Sequence, residues 1–205
     1  MFIIIWRKIM KTDLRIIKTQ ESLRNALLIL LKTKPLESIN IAELCRCAKI
    51  NRGTFYLHYQ NVHGVFESYF EEIIDDLRKS YEEPYHQTDF NIQNLKSDMI
   101  IIFHHVKRYE GFYQIIFDEA NPVKYYYKLF HAIRKMMKEM TMNSIDYLPD
   151  EKMEYFVSYQ TNAIMGILVE WHSKQFATSP DELNEYLYSF SNSLNWFPNK
   201  QGDAN

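Results

Sequence analysis

A chain of 205 residues that is 46% apolar and 24% charged can bury a core of its own, and its two cysteines offer neither a disulfide framework nor a zinc site. With five glycines and six prolines, no segment is biased enough to read as repeat, low-complexity or disordered sequence. The net charge of −2 conceals a division, because residues 1–62 hold eleven basic and four acidic side chains, a net of +7, which leaves −9 for the remainder.

A basic N-terminal third on an acidic body suits a head that binds nucleic acid, since Lys and Arg release counterions from phosphates while the body is repelled. Chance division of solvated charge is the alternative. The chain opens on the apolar run Met1-Phe2-Ile3-Ile4-Ile5-Trp6, followed by Arg7 and Lys8. This run is too short to cross a bilayer and carries its charges on the wrong side for a secretory signal. Residues 1–10 therefore read as an extension or the product of an upstream start. A cytoplasmic protein without a membrane segment is expected.

From Asp13 helical spacing sets in, with Ile16, Gln20, Leu23, Leu27, Leu30 and Leu31 on one face and Pro35 limiting the helix. Asn40-Ile41-Ala42-Glu43 has the form of a capping box, which predicts a short helix to about Ala48. Asn51 is a second capping residue and opens a third helix through Thr54-Phe55-Tyr56-Leu57-His58-Tyr59. Asn61 caps a longer helix whose apolar stripe, Val65, Phe66, Tyr69, Phe70, Ile73, Ile74 and Leu77, runs towards Tyr81 and breaks near Glu83-Pro84. Further helices are expected over Leu95 to Tyr109, Phe112 to Phe117, and from Asn121-Pro122 to about Met140. The two final segments are the best marked. Met153, Phe156, Val157, Gln160, Ile164, Ile167, Leu168 and Trp171 share one face. Leu183, Tyr186, Leu187, Phe190, Leu194 and Phe197 share another, after the start signal Ser179-Pro180-Asp181-Glu182.

Two short helices joined by a tight turn and preceded by a supporting helix form a helix-turn-helix, whose second short helix enters the major groove. Asn51, Arg52, Thr54 and Tyr56 can donate to phosphates or base edges, and Gly53 lets backbone approach the DNA. Leu44, Ala48, Ile50, Phe55 and Leu57 are expected to hold the helices together. A plain three-helix core, in which Tyr56, His58 and Tyr59 only pack, is the alternative on spacing alone.

At Ile39-Asn40-Ile41-Ala42-Glu43-Leu44 and Ala48-Lys49-Ile50-Asn51-Arg52-Gly53-Thr54-Phe55-Tyr56-Leu57-His58-Tyr59 the sequence resembles the TetR family of transcriptional regulators. The match spans roughly residues 13–75, and the rest resembles the family in helix count and order. The resemblance implies an all-α fold of about nine helices: a helix-turn-helix head over 11–60, a connecting helix over 61–82, and a helical effector-binding and dimerisation domain over 83–200. It places Asn40 at a phosphate-contacting cap and Thr54, Tyr56 and His58 at recognition positions. With Lys49, Asn51, Arg52, Gly53 and Tyr59 these make up the expected DNA-binding set. Two positions depart from the pattern. Lys49 stands where the turn glycine is usual and must accept a left-handed backbone or a different turn. Val62 replaces the lysine that usually opens helix four.

His104-His105 beside Glu110 has no metal-ligand spacing, Cys45 and Cys47 point to nearly opposite sides of a helix, and no phosphate loop or nucleophile elbow occurs. Neither metal, cofactor nor catalytic residue is expected, so the chain does not read as an enzyme. The expected partners are a palindromic double-stranded operator, a second copy through the two C-terminal helices, and an apolar or aromatic effector. The effector is suggested by Phe103, Phe112, Tyr113, Phe117, Tyr125, Tyr126, Tyr127, Phe130, Tyr155 and Phe156, for which core packing is the alternative. Repression released by effector is the implied function. A helical small-molecule-binding or enzymatic protein that has lost specific DNA binding is the competing reading.

Overall fold

The computed structural model describes the backbone of residues 2–88, 94, 96–119, 122–144 and 149–193, and the side chains among these except residues 2–13, 144 and 191–193. The expected cap Asn121 and the apolar residues Leu194 and Phe197 lie outside the described residues, as do the side chains of the N-terminal apolar run. Among the described residues the chain forms nine α-helices and no strand. They are α1 (Phe2–Leu31), α2 (Ile41–Ala48), α3 (Arg52–Tyr56), α4 (Val62–Gln87), α5 (Ile102–Arg108), α6 (Glu110–Phe117), α7 (Val123–Ser144), α8 (Asp150–Ser173) and α9 (Pro180–Ser193). Short 3-10 turns occupy Leu36–Ser38 and Ser97–Met99.

Two compact units result, one of Met1–Ile74 with Gln114–Tyr125, the other of Asp75–Tyr113 with Tyr126–Asn205. In the first, Leu23, Ala26, Leu27 and Leu31 of α1 are buried, the i, i+3, i+4, i+8 pattern legible in the sequence. They share a core with Leu36, Leu44, Phe55, Val65, Phe66 and Phe70; burying a side chain of this size stabilises by about 1.5–3 kcal/mol. Arg24 on α1 pairs with Glu72 on α4 and lies over the Tyr69 ring, 5.4 Å from its centroid. The segment 114–125 joins this unit through Tyr125, whose buried ring is 4.7 Å from Phe66, and through Lys124, which donates to Glu37 at 2.8 Å. That hydrogen bond holds the Glu37 carboxyl below its usual pKa.

The second unit buries Phe103, Val106, Phe112, Tyr113, Leu129, Ile133, Val157, Ile164, Met165, Leu168, Trp171 and Phe176. Its α8–α9 turn ends α8 in a Schellman arrangement, with Phe176 N–H donating to Trp171 C=O and Gln175 N–H to His172 C=O. Gln175 and Phe176 both lie at φ 54°, a conformation costly for a bulky side chain. Burial of Phe176 against Trp171 and a bond from Lys107 Nζ to its carbonyl offset that cost.

Two sequence expectations are corrected here. The helix expected to break near Glu83-Pro84 continues to Gln87. Pro84 stands in the last turn, where its missing N–H forfeits a single hydrogen bond, and its ring is buried. The helix expected from Leu95 to Tyr109 divides into the 3-10 turn and α5, since Ile100 takes up an extended backbone. Tyr186 and Phe190, on the shared apolar face of α9, are 43% and 52% exposed.

Candidate nucleic-acid interface

The helix-turn-helix is built by two helix-end devices. At the start of α2, Asn40 Oδ1 accepts from the Glu43 N–H at 3.0 Å, as the capping box predicts. The Glu43 carboxylate turns instead to Lys34, which ties the segment before α2 to its first turn. At its end, Lys49 adopts φ 55° and ψ 42°, the left-handed conformation that glycine usually fills. Ile50 N–H then reaches the Cys45 carbonyl at 2.9 Å and Lys49 N–H the Arg46 carbonyl at 3.2 Å, a complete Schellman turn. The turn therefore keeps the geometry it needs despite carrying a side chain, at a cost on the order of 1 kcal/mol.

From this turn the chain passes through Asn51 into α3. Asn51 makes no side-chain cap, contrary to expectation; its backbone is extended and its side chain lies exposed. Only one face of α3 serves the fold. Phe55 is fully buried, its ring 5.5 Å from Tyr56 and 6.0 Å from Tyr59. Arg52, Gly53 and Tyr56 are exposed, while Thr54 and His58 are half-buried. A Cβ on Gly53 would meet nothing within 4 Å and its φ is negative, so no packing or backbone demand within the chain calls for glycine there. Lys49 is exposed beside this face. Asn40 is exposed too, its Oδ1 engaged in the cap and its amide nitrogen able to donate.

Tyr59 departs from the expected contact set. It is 8% exposed and packs on Phe55 in the core. Leu57 departs in the opposite sense: expected to hold α2 and α3 together, it is 79% exposed. Val62 is buried at the first position of α4, where Asn61 Oδ1 caps the Gly64 N–H at 2.8 Å. The missing lysine at that position has thus been exchanged for a core contact.

Residues 93–193 match a TetR-type family model described as the C-terminal region of transcriptional regulators. Over 170 residues, 82% of the chain, the sequence is 18% identical to an uncharacterised HTH-type transcriptional regulator, YxbF, of Bacillus subtilis (strain 168). The chain spans under half that relative's length, 43%. Among solved structures it shares its fold with the dihydroxyacetone kinase operon activator DhaS, at a TM-score of 0.61 and 18% identity over 86% of this chain and 95% of that one. The chain is thus similar to TetR-type transcriptional regulators, in sequence over residues 93–193 and in fold over most of its length.

The aromatic side chains of the second unit range from buried to exposed, with Tyr126, Phe130 and Phe156 half-buried. Phe103, Phe112 and Tyr113 are fully buried core, whereas Tyr127 and Tyr155 are 53% and 73% exposed. Tyr81 and Tyr85 on α4 face each other at 3.5 Å between their hydroxyls, and burial raises the pKa of both. Of the histidine pair, His104 pairs with Asp181, while His105 bridges Asp76 and Tyr113. No group of three or more metal-ligating side chains occurs among the described residues, and no helix there is long and apolar enough to cross a membrane. Cys45 is buried and Cys47 half-buried, as their spacing on α2 implied; burial raises the Cys45 thiol pKa.

Between α8 and α9 runs an open groove of about 370 Å³, lined by Ala163, Gly166, Ile167, Trp171, Tyr186 and Phe190 with the Glu170–Lys174 pair at its rim. Gly166 is exposed and a Cβ there would meet nothing within 4 Å. Tyr155 and Tyr159 extend the same face of α8 by a further two turns at helical spacing.

Proposed function

We propose that the protein is a homodimeric, sequence-specific repressor whose two heads read the half-sites of a palindromic operator, and which an apolar or aromatic effector releases. The observation that carries the reading is the one-sided use of α3: Phe55 is consumed by the fold, and Arg52, Gly53 and Tyr56 are left to solvent beside Lys49. That face combines cations for phosphate with donors for base edges. Asn40, Asn51, Thr54 and His58 complete the proposed contact set, from which the buried Tyr59 is removed.

Residues 11–60 form the reading head in this account, 61–82 the connecting helix and 83–200 the effector and dimerisation body of a cytoplasmic regulator. Dimerisation is assigned to α8 and α9, because their groove and the exposed tyrosines of α8 form a continuous apolar face and Gly166 leaves room for a second helix. Support for the effector is the aromatic interior of the second unit, including the buried phenols of Tyr81 and Tyr85 on α4. A ligand there acts only as far as it favours one placement of α4 over another. Repression is the sign proposed because occupancy of a promoter suffices for it, whereas activation needs a further surface for polymerase.

The test is selection of duplexes from a random library with the full-length protein, followed by titration of the enriched sequence. Tyr56→Ala and Thr54→Ala are each expected to weaken the specific complex about tenfold or more while leaving the far-ultraviolet circular dichroism unchanged. Unchanged affinity in both variants would remove α3 from the interface. A reporter under the enriched sequence reads the sign: expression falls when the protein is present if it represses, and a rise contradicts repression.

A further inference from the structure

Leu57 has the largest exposed fraction among the exposed large apolar side chains of the described residues, 79%. Its backbone is helical, at φ −71° and ψ −21°, so it continues the turn of α3. By helical spacing it shares a face with the exposed Gly53 and lies opposite the buried Phe55, while Tyr56 and Gln60, close to it in sequence, are exposed as well. A leucine there contributes nothing to the core. It also sits among polar and cationic neighbours, with Lys49 and Arg52 exposed nearby in sequence and His58 adjacent.

A surface that sets one bare apolar side chain among cations matches a polyanion that offers isolated apolar points. Duplex DNA presents one such point in the major groove, the C5-methyl of thymine, and apolar side chains read it by contact. Gly53 adds an independent observation: the space its Cβ would occupy is open, which permits close approach on the same face. We infer that Leu57 is a specificity-determining residue that packs against a thymine methyl in each half-site. This rests on the DNA-binding function proposed above and adds to it a base identity.

The chemistry allows the contact to be removed one methyl at a time. In the duplex enriched by the full-length protein, each thymine of a half-site is replaced singly by deoxyuridine, which deletes the methyl and leaves every hydrogen-bonding group in place. At one thymine per half-site the wild type is expected to lose about fourfold in affinity, the worth of one buried methyl. Leu57→Ala should bind the thymine and deoxyuridine duplexes equally, and less tightly than the wild type binds thymine. Because Leu57 is exposed, the variant should fold as the wild type does, and Tyr56→Ala, which keeps Leu57, should retain the discrimination. The inference is overturned if no deoxyuridine position affects the wild type, if the selected half-site holds no thymine, or if the discrimination persists in Leu57→Ala. Each of those results leaves DNA binding intact. Failure to enrich any sequence would overturn both.

Discussion

Replacing Gly166 by arginine is expected to turn the proposed dimer into monomers and to weaken binding to a two-half-site operator by about a hundredfold or more. Gly166 stands in the second half of α8, exposed, in the wall of the α8–α9 groove, with open space where a side chain would project. Arginine fits a lone chain there without a clash and even raises helix propensity, by roughly 1 kcal/mol over glycine. In a dimer that closes on this face, the same side chain would place a charge and its bulk where the partner helix must lie, which a packed interface does not tolerate. The effect on DNA follows from valence: once the heads are unlinked, the second half-site no longer adds to the first. Sedimentation equilibrium measures the first consequence and operator titration the second. A variant that remains dimeric would move the interface away from α8 and α9.

His105→Ala is expected to lower the stability of the second unit by about 2–4 kcal/mol and to flatten its response to acid. The imidazole is fully buried, with Nδ1 2.8 Å from Asp76 Oδ2 and Nε2 3.0 Å from the Tyr113 hydroxyl, so one ring joins α4, α5 and α6. Burial raises the Tyr113 pKa beyond the range in which a phenol ionises, so its O–H remains a donor. The ring therefore accepts at Nε2 and donates its Nδ1–H to Asp76, and is neutral. Arg108 lies 3.4 Å from the same Asp76 oxygen and Tyr109 packs on the ring at 4.8 Å.

Burial pushes the His105 pKa below 6.5, against the upward pull of Asp76. The unfolded chain thus binds a proton that the folded chain refuses, and stability contributed by the neutral ring is full above about pH 6.5 and declines as pH falls below it. Urea unfolding at pH 7.5 and pH 5.5 measures both effects. The wild type should lose more stability on acidification than the alanine variant. Equal losses would mean that His105 does not carry the acid response.

Much of the head could be read in the sequence because its signals are local. The Asn40 cap, the Schellman turn at Lys49 and the Asn61 cap each depend on residues within five positions of one another. Leu57 and Tyr59 lie on the sides opposite to those expected. A helix of five residues is too short for periodicity to fix which face turns inward, and neither the apolar character of Leu57 nor the resemblance that carries Tyr59 replaces that signal. Asn51 resembles a cap by type, but whether its oxygen reaches an amide depends on its rotamer, which the sequence does not specify.

In the second unit the limits are those of distance and of valence. The Asp76–His105–Tyr113 network joins residues 29 and 8 positions apart, and only packing of three helices brings them together. On α9 the apolar spacing of Leu183, Tyr186 and Phe190 is genuine, yet Leu183 alone is buried within the chain. Periodicity reports that a face avoids water; it does not distinguish a partner helix in the same chain from one in another copy. Pro84 misled because a proline usually stops a helix, whereas α4 carries this one, its ring buried, through to Gln87.

The central claim, that α3 of each copy reads the major groove, is tested most directly by methylation interference on the selected operator. Methyl groups on guanine N7 project into the major groove and those on adenine N3 into the minor groove. N7 methylation is expected to block binding in two clusters related by the operator's two-fold axis, while N3 methylation within the same clusters leaves binding intact. Binding that is blocked by N3 methylation alone, or is indifferent to N7 methylation throughout, would contradict the account.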